Sequence, residues 1–169
     1  MTVLKILQYP NKKLREKAQL VTALNQKIQT IIKDMFETMY EKNGIGLAAT
    51  QVGIPLQIII MIDIDHDEKK IVLINPIIIK KNGNIKTREG CLSIPQERAF
   101  VNRFQNIIVK GLNEKGEKKI ITAKGTLSVC IQHEIDHLNG ILFIDRLSFL
   151  KRQIIEKKIK KNKKNENNI

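Results

Sequence analysis

Between residues 24 and 42 apolar side chains recur every three or four positions. Leu24, Ile28, Ile31, Ile32, Met35, Phe36, Met39 and Tyr40 form one stripe, the spacing of a helix with one buried face. Asn43-Gly44 follows and supplies the left-handed stop expected at a helix C-terminus. Residues 44 to 51, G-I-G-L-A-A-T-Q, are too small and glycine-rich for an ordinary strand. Beta-branched runs come next, at 57 to 64 and 71 to 74, with Pro76 interrupting before 77 to 80. Asn82-Gly83 reads as a hairpin turn. Two more strands, 106 to 112 and 117 to 123, flank a turn at 113 to 116.

A second helix is expected from Gly125 to Leu138, closed by Asn139-Gly140, with Leu127, Val129, Cys130 and Ile131 apolar enough to bury its first half. Beyond Leu147, Leu150, Ile154, Ile155 and Ile159 mark an amphipathic helix on a lysine background, its last eight or so residues frayed. Strands clustered between helices, rather than alternating with them, argue for an α+β fold. In it, mixed or antiparallel strands surround the central second helix, with further helices toward both ends. Residues 1–150 form a single domain and 151–169 a basic helix and tail.

A chain of 169 residues that is 42% hydrophobic and 28% charged has the proportions of one globular domain. The longest apolar run, Ile58 to Ile62, falls far short of the roughly 20 residues that cross a bilayer. No signal-peptide pattern opens the chain, and Cys91 and Cys130 alone make no disulfide framework, so a cytoplasmic protein is expected, with no membrane partner.

The net charge of +13 suggests nucleic acid, but 24 of the 30 basic residues are Lys, and Arg is the better reader of phosphates and bases. Aromatics at 4%, with no Trp, leave few stacking platforms, and no specific DNA partner is expected. The 24 Lys, 30 Ile and 14 Asn all share A/T-rich codons, so codon composition accounts for the three counts together. The last 19 residues hold eight basic and two acidic groups, which leaves the tail as a candidate interaction patch.

The chemistry lies in His133-Glu134-Ile135-Asp136-His137. Histidines four apart stack on one helix face, where both imidazoles reach one metal ion. Glu134, about 100° round the helix, flanks that ion as a general base. Two of only three histidines in the chain take this spacing; the third, His66, sits in a charged stretch and reads as a solvated loop residue. A catalytic site usually takes a third protein ligand. One candidate is Glu156, an arrangement that resembles thermolysin-like zinc peptidases. The other, favoured, is Cys91 in R-E-G-C-L-S, where Gly90 allows close backbone approach.

Three segments, Gly44–Gln51 (G-I-G-L-A-A-T-Q), Glu89–Ser93 (E-G-C-L-S) and His133–His137 (H-E-I-D-H), resemble the three motifs of peptide deformylase, in that family's order and at its usual separations. The flanking stretches 37–53 and 132–148 look similar as well, and the basic C-terminal helix resembles the bacterial form. Asn102, Thr126 and Ser128 depart from the family, standing where proline and apolar residues are usual.

The resemblance implies a hydrolase that removes the formyl group from the N-terminal formyl-methionine of nascent chains. Cys91, His133 and His137 would then hold the metal with water as a fourth ligand. The metal would bring that water's pKa toward neutrality, Glu134 would take its proton, and the leaving amine would receive it. The Leu92 backbone N–H and the Gln51 side-chain amide would stabilise the oxyanion. Ferrous iron is expected in the cell, with Zn(II), Ni(II) or Co(II) able to substitute. Gly44 and Gly46 would let a peptide add as an extended strand, with Glu89 and Gly90 on the substrate side. Ile45, Val129, Cys130 and the aliphatic part of Arg98 are the expected methionine pocket. Asp136 is expected to partner a basic group, and Glu89 to support a ligand in the same way. The basic tail is expected to touch ribosomal RNA. The competing readings are a zinc peptidase using Glu156 and a nucleic-acid-binding protein with no metal requirement.

Overall fold

The computed structural model describes residues 2–166, with side chains through residue 162. In chain order come α1 (Gln26–Glu41), β1 (Gly46–Ala48), β2 (Ile58–Asp63), β3 (Lys69–Asn82), β4 (Ile85–Cys91), β5 (Ile94–Arg103), β6 (Asn106–Leu112), β7 (Lys118–Lys124), α2 (Gly125–Leu138) and α3 (Phe149–Glu166). Single 3-10 turns lie at Lys12–Arg15, Ala49–Val52 and Phe143–Arg146. The expected α+β architecture is present. Five antiparallel strands form a sheet in the order β1-β2-β3-β6-β7, and β4 and β5 pair separately.

The middle of the five-stranded sheet is covered on both faces. Ile58, Ile60 and Ile62 turn toward the α1 stripe of Ile28, Ile32, Met35, Phe36 and Met39. Ile59 and Met61 turn toward Leu127, Cys130, Ile131 and Leu138 of α2. Successive residues of a strand face opposite ways, so a strand buried on both sides reads as an unbroken apolar run, which is why 58 to 62 shows no alternation. Each large aliphatic or methionine side chain buried here stabilises the fold by about 1.5–3 kcal/mol. A third cluster joins Ile94 and Val101 of β5 to Leu14, Phe143 and the α3 residues Ile155 and Ile159. Leu150 and Ile154, assigned to the same stripe from sequence, are exposed instead.

The helix ends have local causes. Asn25 caps α1, its side chain accepting from the Ile28 N–H at 3.1 Å, so Leu24 precedes the helix. The left-handed residue after α1 is Asn43 (φ 52°), not Gly44. Gly140 (φ 70°) follows α2 as expected. The α3 backbone stays helical to Glu166, and residues 167–169 of the expected frayed end lie outside the described residues.

Three expectations about strands are corrected. Gly46–Ala48 is a strand, paired with Ile59–Met61 of β2; its small residues suit close packing on α2. Pro76 does not divide β3, because a register shift between Ile74 and Ile77 accommodates it. Asn82-Gly83 turns the chain, but no hairpin forms. Asn82 pairs with Asn106 of β6, and the chain crosses to the second sheet, whose two strands have no apolar alternation strong enough to announce them. That crossing carries Glu89 and Cys91 up to the histidine face of α2.

Candidate metal centre

Helix α2 presents His133 and His137 one turn apart, with ring centroids 4.9 Å from each other. Their Nε2 atoms are 3.3 Å apart, and the Cys91 sulfur, delivered by the end of β4, lies 3.2 Å from His137 Nε2. The three donor atoms fall within 4.8 Å of one another. Two imidazole nitrogens and a thiol thus face one point, and His137 Nδ1, on the other side of its ring, is buried without a hydrogen-bond partner. Burial pushes His137 well below its ordinary pKa, with the charges of His133 and Arg103 adding to it, so the ring is neutral, the form that ligates. The donor set fits a divalent transition metal.

The surroundings hold each donor. His133 Nδ1 is 2.8 Å from Glu89 Oε2, which orients the ring, and Phe143 stacks on it with centroids 6.4 Å apart. Burial works against charge on Glu89, yet hydrogen bonds from Arg103 and His133 outweigh it and hold the carboxyl at about 2. The Cys91 sulfur accepts from the Ser93 N–H at 3.4 Å and from Gln51 Nε2 at 3.5 Å. Gln51 is itself fixed, its Oε1 accepting from the Ala48 N–H at 2.9 Å and its Nε2 donating to Ser93 Oγ at 3.1 Å. Leu92 sits in the turn between β4 and β5, next to Cys91.

Glu134 stands on α2 beside the histidines, 4% exposed, with Oε2 buried and unpartnered. Burial pushes its carboxyl up to about 7, with Glu89 and Asp136 adding while His133 and Arg103 oppose. A carboxyl balanced near neutrality can both take and release a proton.

A cleft of about 1460 Å³ opens over this group, and Ile45, Val129, Cys130 and Arg98, the expected side-chain pocket, all line it. Burial pushes the Cys130 thiol up, the Glu134 and Glu89 charges adding to it, so it lines the cleft as a neutral thiol. The glycines Gly44, Gly46 and Gly90 line the cleft too, and the protein's own side chains crowd them. A Cβ on Gly46 would sit 2.7 Å from both Cys130 Sγ and Glu134 Oε1. One on Gly44 would sit 2.9 Å from Leu92 Cδ1, and one on Gly90 would sit 3.3 Å from Arg98 Cγ. At Gly44 and Gly46 the protein's own side chains leave no room for a Cβ, and at Gly90 the fit is tight.

Two further carboxylates are engaged by partners of their own. Glu89 lines the cleft, but both its oxygens are taken by Arg103 and one also by His133, which is the ligand-supporting place expected of it. Glu156 accepts from Tyr9 Oη and Arg152 Nε, both at 2.9 Å, and is no part of the converging group. Asp136 has the basic partners expected of it, Arg103 and Arg146. His66 is exposed, on a turn beside Asp63. Ser128 is buried, donating to the Phe104 carbonyl at 2.9 Å, while Thr126 faces the cleft. Arg103, Ser93 and Phe143 were not singled out from sequence. Of the six arginines in a lysine-rich chain, Arg15, Arg103, Arg146 and Arg152 each pair with a carboxylate in the structure.

A profile described as polypeptide deformylase matches residues 3–153. A peptide deformylase of Buchnera aphidicola subsp. Acyrthosiphon pisum is 56% identical over 98% of this chain and 96% of its own. One from Pseudoalteromonas translucida is 51% identical over 97% and 98%. Among solved structures, a peptide deformylase from Legionella pneumophila superposes with a TM-score of 0.92 at 41% identity, covering 98% of both chains. The Ehrlichia chaffeensis enzyme in complex with actinonin gives 0.91 at 39%, over 96% of this chain and 98% of that one.

Proposed function

The chain belongs to the polypeptide deformylase family, and we propose that Cys91, His133 and His137 hold its single divalent metal ion while Glu134 handles the proton. The protein is a metal-dependent hydrolase that removes the formyl group from the N-formyl-methionyl end of nascent polypeptides and releases formate. The observation that supports the assignment of residues is the convergence of two Nε2 atoms and one Sγ beside a buried, unpartnered carboxylate oxygen.

When bound, the ion supplies Lewis acidity to the formyl carbonyl and acidity to a water. The chain's own groups do the rest. Glu134 Oε2 takes the proton of the attacking water and later delivers it to the leaving amine nitrogen. Gln51 Nε2, already held over the Cys91 sulfur, and the Leu92 N–H donate to the oxyanion that develops as the carbonyl becomes tetrahedral. The peptide lies along β1, an edge strand of the sheet with room for one more extended chain. Ile45, Val129, Cys130 and the stem of Arg98 receive the methionine side chain.

Iron(II) is the proposed ion in the cell, as the resemblance to the family implies; two imidazoles and a thiolate also suit zinc, cobalt and nickel, which such a donor set holds more tightly than iron, so those metals can substitute. The cytoplasm is the proposed compartment, where nascent chains emerge; no helix among the described residues is long and apolar enough to cross a membrane. The exposed lysines of α3, Lys151, Lys157, Lys158, Lys160 and Lys161, are the proposed contact with the ribosome. The deciding experiment is formate release from a formyl-methionyl tripeptide by anaerobic protein reloaded with Fe(II) or Ni(II), against a chelated control and Glu134→Gln. Release that needs metal and vanishes in the variant supports these roles; release by the chelated protein refutes them.

A further inference from the structure

Behind His133 runs a chain of alternating charges that the reaction itself does not use. Arg103, near the end of β5, has a side chain only 2% exposed. Its Nε and Nη2 donate to the two oxygens of Glu89 at 2.7 and 2.9 Å. The third guanidinium nitrogen, Nη1, donates to Asp136 Oδ2 at 2.5 Å. Asp136 in turn takes Nε and Nη2 of Arg146, both at 2.5 Å, and Arg146 reaches the surface, 40% exposed.

Glu89 comes from β4, Asp136 and His133 from α2, and Arg103 from β5. One planar group therefore ties three elements together at the carboxylate that grips His133 Nδ1. Such a buried ion chain is weak evidence for stability, because desolvating the charges offsets their attraction. What it does supply is geometry: the guanidinium fork fixes both oxygens of a carboxylate, which a lysine ammonium cannot do. With both oxygens pinned, Glu89 has one position from which to accept from His133, and the imidazole is left one orientation in which to aim Nε2 at its two neighbours.

We propose that Arg103 is a positioning residue for the metal centre, setting through Glu89 and Asp136 the angle at which His133 presents Nε2. The proposal rests on the reading of Cys91, His133 and His137 as ligands. Arg146 is the outer brace of the same chain, acting one step further away.

The test uses the full chain loaded with Co(II), whose visible absorption reports ligand geometry. In Arg103→Lys, which keeps the charge and loses the fork, the Co(II) bands shift and a chelator strips the metal about tenfold faster. The kcat for a formyl-methionyl tripeptide falls about tenfold with KM nearly unchanged. Arg146→Gln moves the same readouts in the same direction by a smaller factor than Arg103→Lys does. Folded Arg103→Lys with wild-type bands and a wild-type stripping rate would reduce Arg103 to a structural ion pair and overturn the proposal. Should Arg103→Lys not fold, Arg146→Gln decides by the same two readouts: moved, they support the proposal; unmoved, they overturn it. A wild-type chain that takes up no stoichiometric Co(II) sinks the ligand assignment itself, a failure separate from that of Arg103 alone.

Discussion

Gly46 and Glu134 occupy one space: the point where a Cβ of residue 46 would lie is 2.7 Å from Glu134 Oε1. Strand β1 and helix α2 thus touch backbone to carboxylate, and the glycine decides where the carboxylate can stand. Gly46→Ala forces Glu134 aside, with Cys130 Sγ blocking the other way at 2.7 Å. A displacement of the order of an ångström can cost about 10²-fold in rate, so kcat should drop toward that figure. Metal content, read by mass spectrometry of the native protein, stays at wild type because no ligand is touched. A Gly46→Ala enzyme with normal kcat would show that Glu134 is not held by this contact.

The third ligand is settled by which substitution releases metal. Cys91→Ala removes the only sulfur of the converging group and leaves two imidazoles, so metal is lost on dialysis and activity with it. Glu156→Ala keeps metal and activity, because Glu156 is engaged with Tyr9 and Arg152 and is no part of the converging group. Its cost is about 1 kcal/mol of stability from the hydrogen bonds removed, read as a lowered urea midpoint. Metal retained in Cys91→Ala and lost in Glu156→Ala would reverse the assignment.

What could be read from sequence followed from how each segment is buried. Helix α2 was legible to the residue because its histidines are spaced one turn apart, its first half is an apolar run that is buried, and Asn139-Gly140 marks its end. Beta strands 4 and 5 were not, because their buried positions include Glu89 and Arg103, charged residues that satisfy each other and so erase the polar-out, apolar-in alternation. Strand β1 was hidden for the opposite reason, as its residues are small to let α2 approach. The same buried ion pairing concealed Arg103, whose role depends on Glu89 and Asp136, 14 and 33 positions away in the chain. The spacing of the two histidines, by contrast, lies within one helical turn and needs no tertiary knowledge.

The lysines of α3 can be separated from its structural residues. Ile155 and Ile159 anchor the helix in a core cluster, whereas Lys151, Lys157, Lys158, Lys160 and Lys161 are exposed. Replacing these five by Ser leaves the fold and tripeptide deformylation intact. Co-sedimentation with ribosomes at low salt weakens, and the slope of log affinity against log salt becomes shallower as fewer counterions are released. Undiminished co-sedimentation would remove α3 from the proposed contact.

Asp145 ties the N-terminal turn to the chain after α2, and its contribution depends on pH. Burial opposes its charge, but hydrogen bonds from Arg15 and from the Leu142 N–H outweigh that and hold its pKa below the ordinary 3.8. Arg152 adds an ion pair at 2.9 Å. The folded state therefore binds its proton less readily than the unfolded chain does. The stabilisation is present in full above about pH 4 and is lost as pH falls through the lower folded-state value. Asp145→Asn should unfold more easily than wild type at pH 7, by about 1–2 kcal/mol given that the partners are partly exposed. As acid protonates the wild-type carboxyl, the two urea curves should converge. A gap that stays constant from pH 7 down to pH 2.5 would mean that shape and neutral hydrogen bonding at residue 145, rather than its charge, hold the turn in place.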